Sequence, residues 1–331
     1  MNQEEWDPGR LLEISGSYWG TCALHAGVKL DVFTAIGDGA VSTDDLARTL
    51  GTAPRGISAL LDALAALKLL KKTGDVYSNT AAAITHLSTA SPGYLGHIIL
   101  HHHHLMTSWA NLDQAVRSGR PLRTPASRTD PVQRESFLMG MFNMAMQLAP
   151  LVVPKLRLEG RRHLLDLGGG PGTYAIEMCR RSPDLKATVY DLPTTRPFAE
   201  KTIERFDLAD RIEFLAGDFI EEEISGSYDV AWLSHILHSE SPDGCRRIID
   251  KTVAVLESGG MIMVHEFLLN DSKDAPLFPA LFSLNMLVAT ASGRSYSEGE
   301  IRDMLAARGV RDIERIPLVL PNDSGVIVGI V

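Results

Sequence analysis

His163-Leu164-Leu165-Asp166-Leu167-Gly168-Gly169-Gly170-Pro171-Gly172-Thr173-Tyr174 is an apolar run that ends in an acid, passes through glycines and re-enters an apolar-periodic segment reaching Cys179. That order predicts a buried strand, a tight turn and a helix start. Glycines at such a turn let the backbone take positive φ and come close to a ligand. The helix start behind them offers unpaired N–H groups. A dinucleotide turn, G-x-G-x-x-G/A, would need glycine or alanine at position 173 when counted from Gly168, and Thr173 stands there. The spacing present is Asp166-x-Gly168-x-Gly170-x-Gly172.

Outward from the turn, residues 164–167, 187–190, 212–215, 230–233 and 261–264 read as five buried strands with helical or loop stretches between them, such as 196–206 and 244–256. This alternation predicts an α/β fold with a doubly wound parallel sheet. Residues 313–320 and 325–331 form two more apolar runs, joined by Pro321-Asn322-Asp323-Ser324. That link is too short for a helical crossover, so the last pair is expected to be antiparallel. Seven strands ending in an antiparallel hairpin differ from the usual dinucleotide fold.

The chain has 331 residues, 45% of them hydrophobic and 22% charged, which suits two globular domains. The division is expected at 1–150 and 151–331. A net charge of −9 argues against nucleic acid or an anionic membrane as a partner. Cys22, Cys179 and Cys245 are scattered without metal-ligand spacing, which fits a reducing compartment. The first residues are acidic, and no run approaches the roughly 18 uninterrupted apolar residues of a membrane helix. A cytoplasmic location is expected.

In the N-terminal half, residues 11–30 form a greasy stretch with Gly16, Gly20 and Gly27, expected to pack against a partner. Ser42 precedes Asp45 as in a helix cap, Pro54 opens a second helix with an Ile57, Leu60, Leu61, Leu64, Leu67 stripe, and 69–77 alternates about Gly74-Asp75. Helix, turn, helix, hairpin is a winged-helix arrangement. Its putting a helix into DNA is disfavoured, because Arg55 and Lys68 are the main basic residues of the second helix. His97, His101 and His104 would share one helix face, where core packing outweighs metal binding in the absence of a neighbouring acid or cysteine. The run 137–146 is methionine-rich, suiting either core filling or a pocket for a flat apolar molecule.

Open α/β sheets bind ligands beyond the carboxyl ends of their strands. Strand two ends in Asp191-Leu192-Pro193, with an acid placed for ribose hydroxyls. Strand three ends in Gly217-Asp218-Phe219, an acid for an exocyclic amine beside a ring for stacking. Strand four ends in Ser234-His235-Ile236-Leu237-His238-Ser239-Glu240 and strand five in His265-Glu266. These motifs, with Gly259-Gly260, make the chain resemble the class I small-molecule O-methyltransferases of the plant caffeate and bacterial polyketide or phenazine type, over nearly its whole length. The resemblance implies a seven-stranded Rossmann-like sheet, an N-terminal winged-helix dimerisation domain and a homodimer. It also implies S-adenosylmethionine as methyl donor, S-adenosylhomocysteine as product, and a small aromatic or conjugated hydroxyl, or an amine, as acceptor.

Carried onto this chain, the base is His238 and the acid orienting it is Glu266. The expected cofactor contacts are Asp166, Gly168, Gly170, Asp191, Leu192, Asp218, Phe219 and Ser234. The acceptor is expected between the two halves, against Trp109, Met139, Phe142, Met146, Asn285 and Met286. No metal is required, because a base titrating near neutrality can remove the proton itself. His235 is a competing candidate for base or structural donor. The sequence also departs from the family. Ser239-Glu240 replace Asp-Trp after the base, Ser234 replaces a lysine, and Ser295 stands where a second buttressing glutamate is expected. These departures leave open a non-methylating reaction such as hydroxylation or decarboxylation on the same fold. A winged-helix regulator that only senses the cofactor is the remoter alternative.

Overall fold

The computed structural model describes residues 6–126 and 130–331; the acidic residues 1–5 lie outside it. The chain divides into two compact units, one ending at Leu105 and one running from Met106 to Val331. The division thus falls well before the boundary expected at residue 150. The reason is the long methionine-rich helix, whose buried face packs onto the first helix of the sheet domain.

In the first unit, the greasy stretch lies on two helices, α1 (Pro8–Gly16) and α2 (Tyr18–Lys29), separated at Ser17. α3 (Val32–Ile36), β1 (Ala40–Ser42), α4 (Thr43–Leu50), α5 (Pro54–Ala66), β2 (Leu70–Thr73), β3 (Val76–Asn79) and α6 (Ala81–Leu87) follow. The helix caps are those anticipated. Ser42 accepts from the Asp45 N–H, Gly51 ends α4 at φ 62°, and Pro54 opens α5. β3 pairs antiparallel with both β1 and β2, a three-stranded wing closed by Gly74. Its core gathers Val32, Phe33, Leu46, Ile57, Leu61, Leu64 and Tyr77. Leu11, Leu12, Ile14, Tyr18 and Trp19 on α1 and α2 are exposed.

α7 (Gly96–Ala110) runs across the division between the units and carries the histidine run. His101 is buried, and His103 meets His25 edge to face at 5.6 Å and Lys29 Nζ at 3.2 Å. α8 (Leu112–Ser118) and α9 (Pro131–Val152) precede the sheet. With its short continuation to Lys155, α9 is long and apolar enough on average to cross a membrane, although Asn143 and Gln147 interrupt its apolar run. Nearly half of that stretch is buried, as expected of a core helix.

The main sheet is built from β4 (His163–Leu167), α10 (Thr173–Arg181), β5 (Lys186–Asp191), α11 (Arg196–Arg205), β6 (Ile212–Ala216), β7 (Tyr228–Ser234), α12 (Pro242–Ala254) and β8 (Leu256–Leu269). α13 (Leu277–Ala289), β9 (Tyr296–Ser297), α14 (Glu298–Ala306), β10 (Arg311–Arg315) and β11 (Ser324–Ile330) complete it. The order is β10-β11-β8-β7-β4-β5-β6, and β11 lies antiparallel between β10 and β8, as expected. Strand order reverses beside β4, between its neighbours β5 and β7. Such a switch point opens a crevice at the strands' carboxyl ends. The two faces are filled separately. Trp232 and Met263 pack under α9 and α10, and Leu233, Val264 and Ile327 pack under α12 and α14.

Candidate active site

The glycine turn is backbone held open by side chains. Gly168, Gly170 and Gly172 have φ of 67°, 55° and 78°, which other residues adopt at a cost. A Cβ on Gly168 would stand 2.6 Å from Ile236 Cγ2 and 3.4 Å from Phe219 Cε1. The turn, the loop after β6 and the loop after β7 therefore meet at this glycine. Asp191 draws the turn onto β5: its Oδ2 accepts from the Gly170 N–H at 2.8 Å, and its Oδ1 accepts from the Leu192 N–H at 2.7 Å and Thr195 Oγ1 at 2.9 Å. Burial raises the Asp191 pKa, against the pull of those three bonds. Asp218 Oδ1 accepts from the Ile220 N–H at 3.1 Å, and Phe219 is half-buried beside Gly168.

Two expected cofactor contacts are placed differently. Asp166 is 1% exposed beneath the turn, where Oδ2 accepts from the Ala175 N–H of α10 at 3.3 Å and Oδ1 has no hydrogen-bond partner. Burial pushes its pKa up to about 7. It is a support for the helix start rather than a group facing a ligand, because the strand turns its side chain inward. Ser234 Oγ is 3.0 Å from Nδ1 of His265. The His265 ring is fully buried, with Nε2 3.0 Å from Ser324 Oγ, which donates to Asn322 Oδ1 at 2.7 Å. With the Ser324 proton committed to Asn322, His265 donates from Nε2 and accepts at Nδ1 from Ser234. Ser234 is thus tied across β8 to β11. Burial holds His265 far below the ordinary imidazole pKa.

The pair expected to do the chemistry is assembled. After β7 the backbone turns left-handed at His235, φ 57°, and enters a 3-10 turn over Leu237–Ser239 that carries His238. Glu266, 1% exposed on β8, clamps this loop: Oε1 accepts from the N–H groups of Leu237 at 2.9 Å and His238 at 3.2 Å. Its Oε2 lies 2.8 Å from His238 Nδ1 and 3.6 Å from His235 Nδ1. Burial alone would raise the Glu266 pKa, but the facing His238 and the two imidazole contacts reverse this and hold it below the carboxylate range. With Nδ1–H given to the carboxylate, His238 keeps its Nε2 lone pair for a substrate proton. Ser295 takes no part in this clamp, since its Oγ donates to Pro279 O at 2.8 Å. The segment beside it instead touches the main chain of His238, whose carbonyl accepts from the Arg294 N–H at 2.8 Å.

All six residues expected to line the acceptor lie in the second unit. Trp109 Nε1 and Arg123 Nη2 both donate to Asn285 Oδ1 at 3.3 Å, and Met286 is buried beside it on α13. Met139 and Met146 are half-buried on α9, whereas Phe142 is buried with its ring 6.5 Å from Phe206 at the end of α11. Phe142 therefore serves the packing of α9. The ring wall that does stand beside His238 was missed. Phe282 meets the His238 ring edge to face at 4.8 Å, and Phe267 lies 4.6 Å from Phe282 and 5.0 Å from Phe278. Phe278 and Phe282, four apart at the start of an apolar helix, were a readable signal. That β8 would carry Phe267 to meet them was not.

Comparison with known proteins agrees with this architecture. An O-methyltransferase domain model matches residues 109–311, and an O-methyltransferase dimerisation domain model matches residues 12–89. The chain belongs to the O-methyltransferase family. It is 31% identical over 329 residues to a 3-hydroxy-5-methyl-1-naphthoate 3-O-methyltransferase of Streptomyces sahachiroi, covering 98% of this chain and 95% of that enzyme. It is 28% identical over 325 residues to the N,N-dimethyltransferase OxyT of Streptomyces rimosus, covering 94% and 93%. Human N-acetylserotonin methyltransferase in complex with S-adenosylmethionine superposes with a TM-score of 0.86 at 26% identity, covering 100% of this chain and 99% of that one. As an O-methyltransferase family member, the chain is an S-adenosylmethionine-dependent enzyme that transfers methyl to a hydroxyl or amine. The winged unit is that family's dimerisation domain.

Proposed function

We propose that the enzyme methylates a phenolic hydroxyl of a small fused-ring aromatic, with His238 as general base and Glu266 as the group that positions it. The observation that carries this reading is the 2.8 Å contact of His238 Nδ1 with a carboxylate that two backbone N–H groups already hold in place. The residues at the glycine turn fit the methyl donor: three positive-φ glycines leave space at the switch point, Asp191 ends the adjoining strand, and Phe219 flanks Gly168. When bound there, S-adenosylmethionine supplies an electrophilic methyl group on a sulfonium.

The protein's own contribution is to prepare the nucleophile. A phenol is largely protonated at neutral pH, so its oxygen attacks well only as Nε2 of His238 takes the proton. Glu266 stabilises the imidazolium that results and keeps the ring from rotating. Phe267, Phe278 and Phe282 offer ring faces and edges to an aromatic acceptor, fixing the oxygen near the base and limiting water. Trp109, Arg123 and Asn285 supply a polar anchor on α13. The naphthoate relative supports the fused-ring class. We further assign α1 and α2 as part of a homodimer surface, on the strength of their exposed Leu11, Leu12, Ile14, Tyr18 and Trp19.

The test is incubation with methyl-labelled S-adenosylmethionine and a panel of hydroxynaphthoates, simple phenols and arylamines. Label on the oxygen of a fused-ring phenol is the expected result. Transfer only to amines, or cofactor consumption without a methylated product, overturns the reading.

A further inference from the structure

We propose that His235, His238 and Glu266 form a binding site for one divalent cation of the zinc class, and that occupancy of this site switches off the base. One donor atom from each of the three residues lies within 4.8 Å of the other two, and Nδ1 of His238 and Nδ1 of His235 both face Oε2 of Glu266. Among the described residues this is the one cluster of three such donors. Two imidazoles and a carboxylate, with a fourth position left to water, are a donor set that zinc takes in tetrahedral sites. Zinc bonds of about 2.0–2.2 Å set ligand atoms roughly 3.3 Å apart. The His238 and His235 contacts with Oε2, at 2.8 and 3.6 Å, straddle that separation.

The geometry goes beyond an accident of crowding. Oε1 of Glu266 is committed to the Leu237 and His238 N–H groups, which leaves Oε2 facing both rings. Nδ1 of His235 is buried and has no hydrogen bond shorter than its long 3.6 Å contact with Oε2 of Glu266, although the ring is only 4.2 Å from Phe267 and 4.4 Å from His265. The left-handed backbone at His235 is what turns this ring toward Glu266. A ligand in reserve beside an orienting carboxylate, inside an aromatic shell, is the arrangement a borderline metal selects.

Occupancy has a definite chemical consequence. The metal forms bonds to both Nδ1 atoms and to Oε2, and the hydrogen bond from His238 Nδ1 to Glu266 is broken. The His238 proton moves to Nε2, so no proton is released from that ring. An imidazole bonded through Nδ1 and protonated at Nε2 has no lone pair left to accept a substrate proton. The binding half of this proposal rests on geometry alone. The inhibition half rests on His238 being the base.

The experiment titrates the full-length protein with Co2+, whose ligand-field bands in the visible report four-coordinate binding, and then chases with Zn2+. One equivalent per chain is expected, displaced by zinc. His235→Asn, a substitution that tolerates left-handed φ, is expected to weaken both metals at least tenfold while retaining circular dichroism and S-adenosylmethionine binding. His103→Gln on α7 is expected to leave metal binding unchanged. Absence of bands, their survival in His235→Asn, or their loss in His103→Gln overturns the site. In parallel, Zn2+ is expected to abolish turnover and EDTA to restore it. Metal bound at one equivalent with turnover intact overturns the switch alone.

Discussion

Glu266 illustrates how much chemistry one fixed carboxylate can organise. Three donors converge on it, two from the main chain of the very loop that carries His238. Glu266→Gln keeps an oxygen for those N–H groups but turns an amide N–H toward His238, which forces the ring proton onto Nε2. Turnover is expected to fall by about 10^2–10^4, the range of a lost general base. Losing a charged acceptor should also lower stability by about 1.5–3 kcal/mol, read from denaturant unfolding. His238→Ala is expected to lose turnover to a similar degree while calorimetry shows S-adenosylmethionine still bound; surviving turnover would move the role to His235. Asp166 behaves oppositely. Its folded pKa, pushed by burial up to about 7, exceeds the unfolded value, so the folded state holds the extra proton. The Asp166 contribution to stability should therefore be greatest at acid pH, fall as pH rises from about 4 to about 7, and level off above that, opposite in sign to that of Glu266. Asp166→Asn removes this slope and should stabilise the ligand-free protein at pH 8 by at most roughly 4 kcal/mol. A pH series of unfolding curves for both proteins decides it.

The strand–turn–helix from β4 to α10 was readable because its determinants are local: an apolar run, glycines and an apolar-periodic segment within a dozen residues. Gly168→Ala is expected to cost about 1–3 kcal/mol in stability and to weaken cofactor binding, since it adds a left-handed strain and a Cβ against Ile236. Asp191, His238 and Glu266 were legible for the same reason, as each follows a recognisable strand end. What escaped depends on contacts between distant segments. Phe267 and Phe282 meet only because β8 outruns its neighbours and α13 folds back beside it. The polar line from Ser234 through His265 to Asn322 joins three strands that are far apart in the chain. Phe282→Ala is expected to raise KM for aromatic acceptors several-fold with little change in KM for S-adenosylmethionine, checked by initial rates with each substrate varied.

The division of labour between the two units also departs from the linear reading. α9 looked like the tail of the N-terminal half, yet the sheet unit begins at Met106 and includes it. Composition could not reveal this, because an apolar helix reads alike whichever core it joins. The exposed apolar face of α1 and α2 has a different consequence. Trp19→Asp together with Leu12→Glu is expected to convert a dimer to a monomer in light scattering, while the core around Leu61 and Tyr77 keeps the wing folded. A wild-type monomer would remove the homodimer assignment. β8 runs for 14 residues, pairs with β7, β11 and finally β9, and is buried from Gly260 to Leu269. Hydrogen exchange there should be among the slowest in the molecule, and Glu266 sits inside that span. If His238 is the base, its orientation is then stored in a strand expected to open among the last, and an acceptor arriving at the site meets a proton acceptor that is already aimed.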